Sequence, residues 1–190
     1  GRIIEQFTRL GCTMDYTRER FTMDDGYAKA VLRVFVDLYE KGYVYRDTYL
    51  VNWDPGLGSA ISDLEVENRE VTDTLVRIAY PLSDGSGEVV VATVRAETML
   101  GDTAVAVHPD DERYRDMVGK TITLPLSGRE VPIIGDTHVD PTFGTGALKV
   151  TPAHDPNDFE IMRRHGLEAI QVIGEDGRIQ PFEGDTAIFI

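Results

Sequence analysis

The sequence predicts a mixed α/β fold rich in β structure: a β-barrel-like body with peripheral helices, plus an N-terminal helical arm. Three observations predict it. From about Thr72 onward, six or seven short segments rich in β-branched residues alternate with turn residues. Ahead of them lies one clearly amphipathic helix. Near residue 150 a glycine-hinged turn, a short buried strand and a helix start follow one another directly. The 190 residues, 42% hydrophobic and 27% charged, suit one medium domain with an appended arm. We place the helical and connecting segment at 1–70 and the β-rich domain at 71–190.

In chain order, residues 1–22 read as a loop-rich approach anchored by Tyr16 and Phe21. A helix begins at Thr22 or Asp24. Ala28, Val31, Leu32, Phe35, Leu38 and Tyr39 then make one apolar stripe, and Gly42 stops it. Tyr43 to Val51 reads as strand, and Asn52 to Gly58 as a turn-rich knuckle. The candidate strands are Leu75–Leu82, Val89–Arg95, Thr103–Val107, Thr121–Leu126, Val131–Ile134, Ala147–Thr151 and Ala169–Ile173. Ser83 to Gly87 is a hairpin loop, and Asp110 to Met117 a short helix. Asp155 stands where an N-cap belongs, Pro156 at the first helical position and Gly166 at the stop. The chain opens without Met and ends at Phe189-Ile190 as if in mid-structure, so we read it as part of something longer.

Charge and cysteine usage narrow the function classes. A net charge of −14 argues against extensive duplex contact, because phosphate-gripping domains are basic. A partner touched only at a single-stranded end remains compatible. No apolar run reaches membrane length, and the single cysteine, Cys12, suits a reducing cytoplasm and excludes an internal disulfide.

Two polar clusters stand at strand ends. In the first, Lys149 and Thr151 share a strand face by the two-residue period, and Asp155 and Asp158 follow at the helix start. The second is Thr93-Val94-Arg95-Ala96-Glu97-Thr98, whose hydroxyls, guanidinium and carboxylate would line one pocket wall or simply form a solvated edge. No nucleophile with a paired base is visible, so water attack is expected.

Three separated motifs agree in order and spacing with one family. Asn52-Trp53-Asp54-Pro55, the run Thr93 to Ala104, and Phe143-Gly144-Thr145-Gly146 through His154-Asp155-Pro156-Asn157-Asp158 resemble the valyl branch of the class I aminoacyl-tRNA synthetases. Within it they resemble the editing insertion, connective polypeptide 1, and the segment leading into it. The resemblance covers Gly11 to about Ile179. It implies hydrolysis of threonine wrongly esterified to the valine tRNA, with no ligase activity, since neither the His-Ile-Gly-His nor the Lys-Met-Ser-Lys-Ser type of signature is present. Threonine and valine are near isosteres, and a hydrophobic pocket rejects threonine only about a hundredfold, a general figure for valine-charging enzymes.

The roles that the resemblance implies are these. Asp158 would hold the substrate's α-ammonium, as the equivalent aspartate does in similar synthetases, and Asp155 would cap the helix or bind the threonine hydroxyl. Lys149 would meet the carbonyl oxygen or a terminal phosphate, or else point outward from the barrel. Thr151, Thr93 and Thr98 would orient water or substrate, and Arg95 would bind the sugar-phosphate end. Phe143 would stack on the terminal adenine. His154 is a base on paper and otherwise a turn-fixing residue. The partners implied are the 3′ terminal adenosine of the valine tRNA and the rest of the synthetase, with no DNA and no membrane. No cofactor is expected, ATP and Mg belonging to the full-length enzyme. Ala96 stands where the family usually has proline, which loosens the corner carrying Arg95 and Thr98. The knuckle lacks the cysteine pair of many relatives, so no metal is expected there, and the tail Phe182 to Ile190 departs from the family pattern. Two rivals remain: a non-catalytic module that positions tRNA, and a metal-dependent hydrolase built on His154, Asp155, Asp158 and His165.

Overall fold

The computed structural model describes residues 1–181, so the reading of the tail lies outside the described residues. The chain divides into two compact units, Gly1–Thr48 and a second that begins at Tyr49. The second therefore takes in residues 49–70, which the sequence reading gave to the connecting segment.

The first unit holds two helices. α1, Arg2–Arg9, occupies the stretch expected to be loop. Its signal lies in the sequence, with Ile3, Phe7 and Leu10 at helical spacing, Glu5 in the first turn and Arg9 in the last. α2, Asp25–Glu40, is the expected amphipathic helix: the Asp24 side chain accepts from Tyr27 N–H as its cap, and Gly42 follows at φ 75°. Tyr43 to Val51 forms no strand, because no described segment pairs with it, and Tyr43, Tyr45 and Tyr49 are exposed.

The second unit opens with a small antiparallel hairpin, β1 (Asn52–Asp54) and β2 (Ser59–Ile61). The knuckle between them is an Asp-led turn in which the Asp54 carboxylate accepts from Gly56 and Leu57 N–H. β3 (Val76–Pro81) and β4 (Glu88–Thr93) form the expected hairpin around residues 82–87. β5 (Ala104–Val107), β6 (Thr121–Thr123), β7 (Glu130–Gly135) and β8 (Ala147–Val150) make a four-stranded sheet in the order β6-β7-β5-β8, with β5 and β7 parallel. Residues 110–117 give turns and one short 3₁₀ turn, Arg115–Met117, in place of a full helix. Ala169–Ile173 makes only a single bridge, Ile173 to Ile179, and the N–H groups of Val172 and Ile173 go instead to the His154 ring. α3, Pro156–His165, is capped by Asp155, which accepts from Asn157 and Asp158 N–H, and is closed by Gly166 at φ 65°.

β5 is the centre of the core. Val105 and Val107 face one apolar cluster with Tyr80, Val89, Val91 and Ile133, while Ala104 and Ala106 face a second with Val150 and Ile161. Both faces are covered, which is why Ala104–Val107 is an unbroken apolar run. The expected closed or nearly closed barrel is not found among the described residues. β3 reaches β6 through one bridge, Leu82 to Ile122, supported by Ser83 N–H to Thr121 O at 3.0 Å. β4 lies alongside β8 with no ladder between them. No helix among the described residues is long and apolar enough to cross a membrane.

Candidate functional site

A hollow of about 200 Å³ opens along the unladdered seam between β4 and β8. Thr93, Arg95 and Thr98 line one side, while Lys149, Thr151, His154, Asp155 and Asp158 line the other. Both polar clusters of the sequence thus meet in one cavity. Phe143 is outside the lining, 68% exposed on the turn that precedes β8.

Lys149 owes its position to register. Its Cα pairs with Val105 across the β5–β8 ladder, so its side chain leaves the sheet on the side of the larger core cluster. It is 6% exposed, not the outward-pointing lysine that was one expectation. Burying an ammonium is tolerable only with a counter-charge and full hydrogen bonding. Its Nζ donates to Thr98 Oγ1 at 2.7 Å, to Asp102 Oδ1 at 3.3 Å and to Thr151 Oγ1.

Asp102 is the residue that sequence reasoning missed. It is fully buried and accepts from Lys149 and Thr151 on Oδ1 and from the Tyr80 hydroxyl, at 2.6 Å, on Oδ2. Burial pushes its carboxyl upward, opposed by Lys149 and by the hydrogen bonds from Tyr80 and Thr151. Burial, followed by the charge of Asp102, likewise raises the Tyr80 phenol. A signal existed: an acid placed directly before a fully apolar strand, in Leu100-Gly101-Asp102-Thr103-Ala104, has to be partnered when that strand is central. His138 and Asn157, also in the lining, carried no such signal.

Asp158 sits in the first turn of α3 and is 6% exposed. Its Oδ2 accepts from Thr151 N–H at 2.8 Å, and among the described residues no donor reaches Oδ1. Burial, chiefly, pushes its pKa up to about 6. Asp155 uses Oδ1 as the helix cap. Arg95, half-exposed at the rim, donates from Nη1 to His154 O at 2.7 Å and pairs through Nε with Glu97 at 3.6 Å. Thr93 Oγ1 accepts from Arg95 N–H, and Ala96 opens the 3₁₀ turn Ala96–Gly101 that carries Thr98.

The His154 ring is held by backbone. Its Nε2 accepts from Val172 N–H at 2.9 Å, which puts the ring proton on Nδ1, and burial, then Arg95 and Lys149, hold its pKa below the usual histidine value. A ring so engaged fixes the Thr151–His154 turn, and its Nε2 lone pair is already taken. His165, a ligand in the metal-hydrolase reading, bonds instead to Asp136 at 2.9 Å, beside the paired Arg164 guanidinium. Among the described residues no three His, Cys, Asp or Glu side chains are grouped to hold a metal ion.

Residues 1–179 match the family model described as tRNA synthetases class I (I, L, M and V). The valine–tRNA ligase of Anoxybacillus flavithermus is 60% identical over 177 residues, which is 93% of this chain and 20% of that protein. The valine–tRNA ligase of a Synechocystis species is 60% identical over 185 residues, 97% of this chain and 20% of that protein. The chain thus spans about a fifth of the length of these curated relatives. Among solved structures, the Agrobacterium radiobacter LeuRS in ternary complex with tRNA and LeuAMS aligns with 96% of this chain and 32% of its own, at 19% identity and TM-score 0.49.

Proposed function

The chain belongs to the class I tRNA synthetases (I, L, M and V), and we propose that its cavity hydrolyses threonine wrongly esterified to the valine tRNA. The observation that carries this reading is the meeting of Asp158 and Arg95, from two distant stretches of sequence, in one small hollow. An aminoacyl ester offers an ammonium, a side chain, a carbonyl and a terminal nucleotide. Asp158, ionised above about pH 6, supplies the buried anion for the ammonium through its open Oδ1. Its own charge is needed there, because a helix N-terminus by itself repels a cation. Asp155, with Oδ1 committed to the cap, turns its second oxygen to the threonine hydroxyl, which valine lacks. Arg95 at the rim meets the terminal sugar-phosphate, and Phe143, exposed beside the opening's turn, offers an adenine-stacking face.

Water is the nucleophile. Thr151 and Thr98 hold it, both fixed from below by Lys149. Lys149 itself acts through these hydroxyls, because each of its three N–H bonds already faces an oxygen. The acidic body, net −14, fits a tRNA that is touched at its single-stranded 3′ end and carried elsewhere by the rest of a synthetase. ATP and Mg have no part in this step.

The test is incubation of the chain with threonyl- and valyl-tRNA of the valine type, wild type against Asp158→Ala. We expect selective decay of the threonyl ester, slowed at least tenfold in the variant. Equal decay in both proteins would reject the assignment of Asp158. Decay no faster than in buffer would reject hydrolysis in favour of a tRNA-positioning module. Activity lost to a chelator would restore the metal-dependent reading.

A further inference from the structure

The two N–H groups that the His154 ring receives, from Val172 at 2.9 Å and Ile173 at 3.4 Å, belong to one arm of a hairpin-like loop, residues 172–180. Gln180 N–H returns to Val172 O and Gly174 N–H to Arg178 O, each at 2.8 Å, around the Ile173 to Ile179 bridge. Two short paired segments are marginal by themselves, so a loop of this kind has to be held at its root and at its tip. The root is held by burial. Val172 is 3% exposed in the larger core cluster, with Ile170 and Ile173 packed against that cluster. The tip reaches β1 and its knuckle. The Trp53 indole N–H donates to Glu175 O at 2.8 Å, across 122 residues of sequence. Beside it the Pro55 ring lies against Gly177, where a β-carbon would come within 3.4 Å of the ring. Gly177, at φ 74°, closes the tip with its N–H on Gly174 O at 2.9 Å.

On its other side His154 runs into the cavity. Its N–H donates to Thr151 O at 3.0 Å, and its carbonyl accepts from Arg95 Nη1 at 2.7 Å. The second bond crosses the seam between β4 and β8, where no ladder joins the strands. We propose that Trp53 is a positioning residue for the cavity rim: it clasps the tip of the 172–180 loop, the loop holds the His154 ring, and the His154 carbonyl sets where Arg95 stands. A ring that accepts from two backbone amides cannot turn without breaking them, so the Thr151–His154 turn moves only with the loop. The β1–β2 hairpin, remote from the cavity lining, is thereby felt at its mouth. What the clasp supplies is preorganisation. An Arg95 already in place for a sugar-phosphate end strengthens binding and leaves the bond-breaking step alone.

The kinetic consequence rests on the proposed hydrolytic reading, and a second measurement, made without substrate, keeps the fates of the two apart. On the whole chain, Trp53→Phe keeps an aromatic ring and removes the N–H, and Gly177→Ala strains the tip from the other side. In steady-state cleavage of threonyl-tRNA, Trp53→Phe is expected to raise KM about three- to tenfold with kcat within about twofold. Arg95→Ala raises KM as well, and the double variant raises it no further, because both changes release the same contact. Penalties that multiply, or a loss confined to kcat, overturn the proposal. The substrate-free measurement is the nitrogen NMR signature of the His154 ring together with exchange of the Val172 amide. In wild type the ring proton sits on Nδ1 and the amide exchanges slowly. Both variants are expected to speed that exchange about tenfold and to average the two ring nitrogens. A signature identical in all three proteins overturns the proposal, and so does a fall in thermal stability with the ring unchanged, the mark of a clasp that only stabilises. Where Trp53→Phe does not fold, Gly177→Ala takes its place. Should the wild-type chain cleave nothing, the hydrolytic reading falls and the ring signature alone decides for or against Trp53.

Discussion

The Asp158 carboxyl lies in a wall that leaves it 6% exposed, and the same burial that readies it for an ammonium lifts its pKa from 3.8 to about 6. A carboxyl whose folded pKa lies above its unfolded one holds its proton more tightly in the folded state. Folding is therefore favoured as pH falls from above 6 toward 4, and penalised above 6, where the ionised side chain stays buried. A shift of about two units corresponds to roughly 3 kcal/mol at most. Asp158→Asn keeps an oxygen for Thr151 N–H and removes the charge. We expect it to raise stability at pH 8 by about 1–2 kcal/mol, to leave it nearly unchanged at pH 4, and to abolish ester cleavage. Urea unfolding at the two pH values checks the first part, and destabilisation at pH 8 would contradict it. Wild-type kcat/KM should rise through about pH 6, and a profile flat across that range would contradict the role of an ionised Asp158.

Gly101 shows how an element places the site. It ends the 3₁₀ turn Ala96–Gly101, which carries Thr98 in and delivers Asp102 to the foot of β5. A methyl group there meets a backbone carbonyl at 2.8 Å, which cannot swing aside as a side chain would. Gly101→Ala should cost about 1–3 kcal/mol and slow cleavage as well, since the turn must lift Asp102 away from Thr151. Thermal unfolding and turnover measured on the same sample test this, and a variant with native stability would refute the packing argument. The elements that sequence reading recovered, β3 to β8 and α3, carry their determinants locally, in alternating side chains, a capping Asp and a stopping Gly. Those it missed depend on distant partners. Residues 43–51 have strand composition but no neighbouring edge among the described residues, and in the stretch 169–173 the N–H groups of Val172 and Ile173 go to His154 instead of to a strand. The cavity followed the same rule. Lys149, Thr151, Asp155 and Asp158 were legible from one stretch, but Asp102 shows its purpose only when β5 and β8 pair and bring Lys149 above it. The open seam between β4 and β8, where a barrel was expected, was likewise invisible to periodicity, which counts strands but says nothing of which edges join.

Charge and burial are distributed unevenly over the whole chain. Residues 1–48 hold eight basic and eight acidic residues, so the entire net charge of −14 belongs to residues 49–190. The burial is divided in the same way: no residue of 1–48 is buried, whereas both apolar clusters lie between Tyr80 and Val172. α2 has the periodicity of a packed helix, yet its Val31, Leu32 and Phe35 are 58%, 63% and 54% exposed. A neutral segment with an exposed apolar stripe favours self-association, and a strongly acidic one resists it. Removing residues 1–48 should then leave the main thermal transition within about 3 °C of that of the whole chain, because little of the buried area that sets it is lost. The shortened chain should also stay monomeric to higher concentration and retain whatever ester cleavage the whole chain shows, since every cavity residue lies beyond Thr48. Calorimetry, sedimentation and the threonyl-tRNA assay on both lengths check the three statements. Loss of a cooperative transition in the shortened chain would mean that the second unit leans on the first, and that the core around β5 is not sufficient by itself.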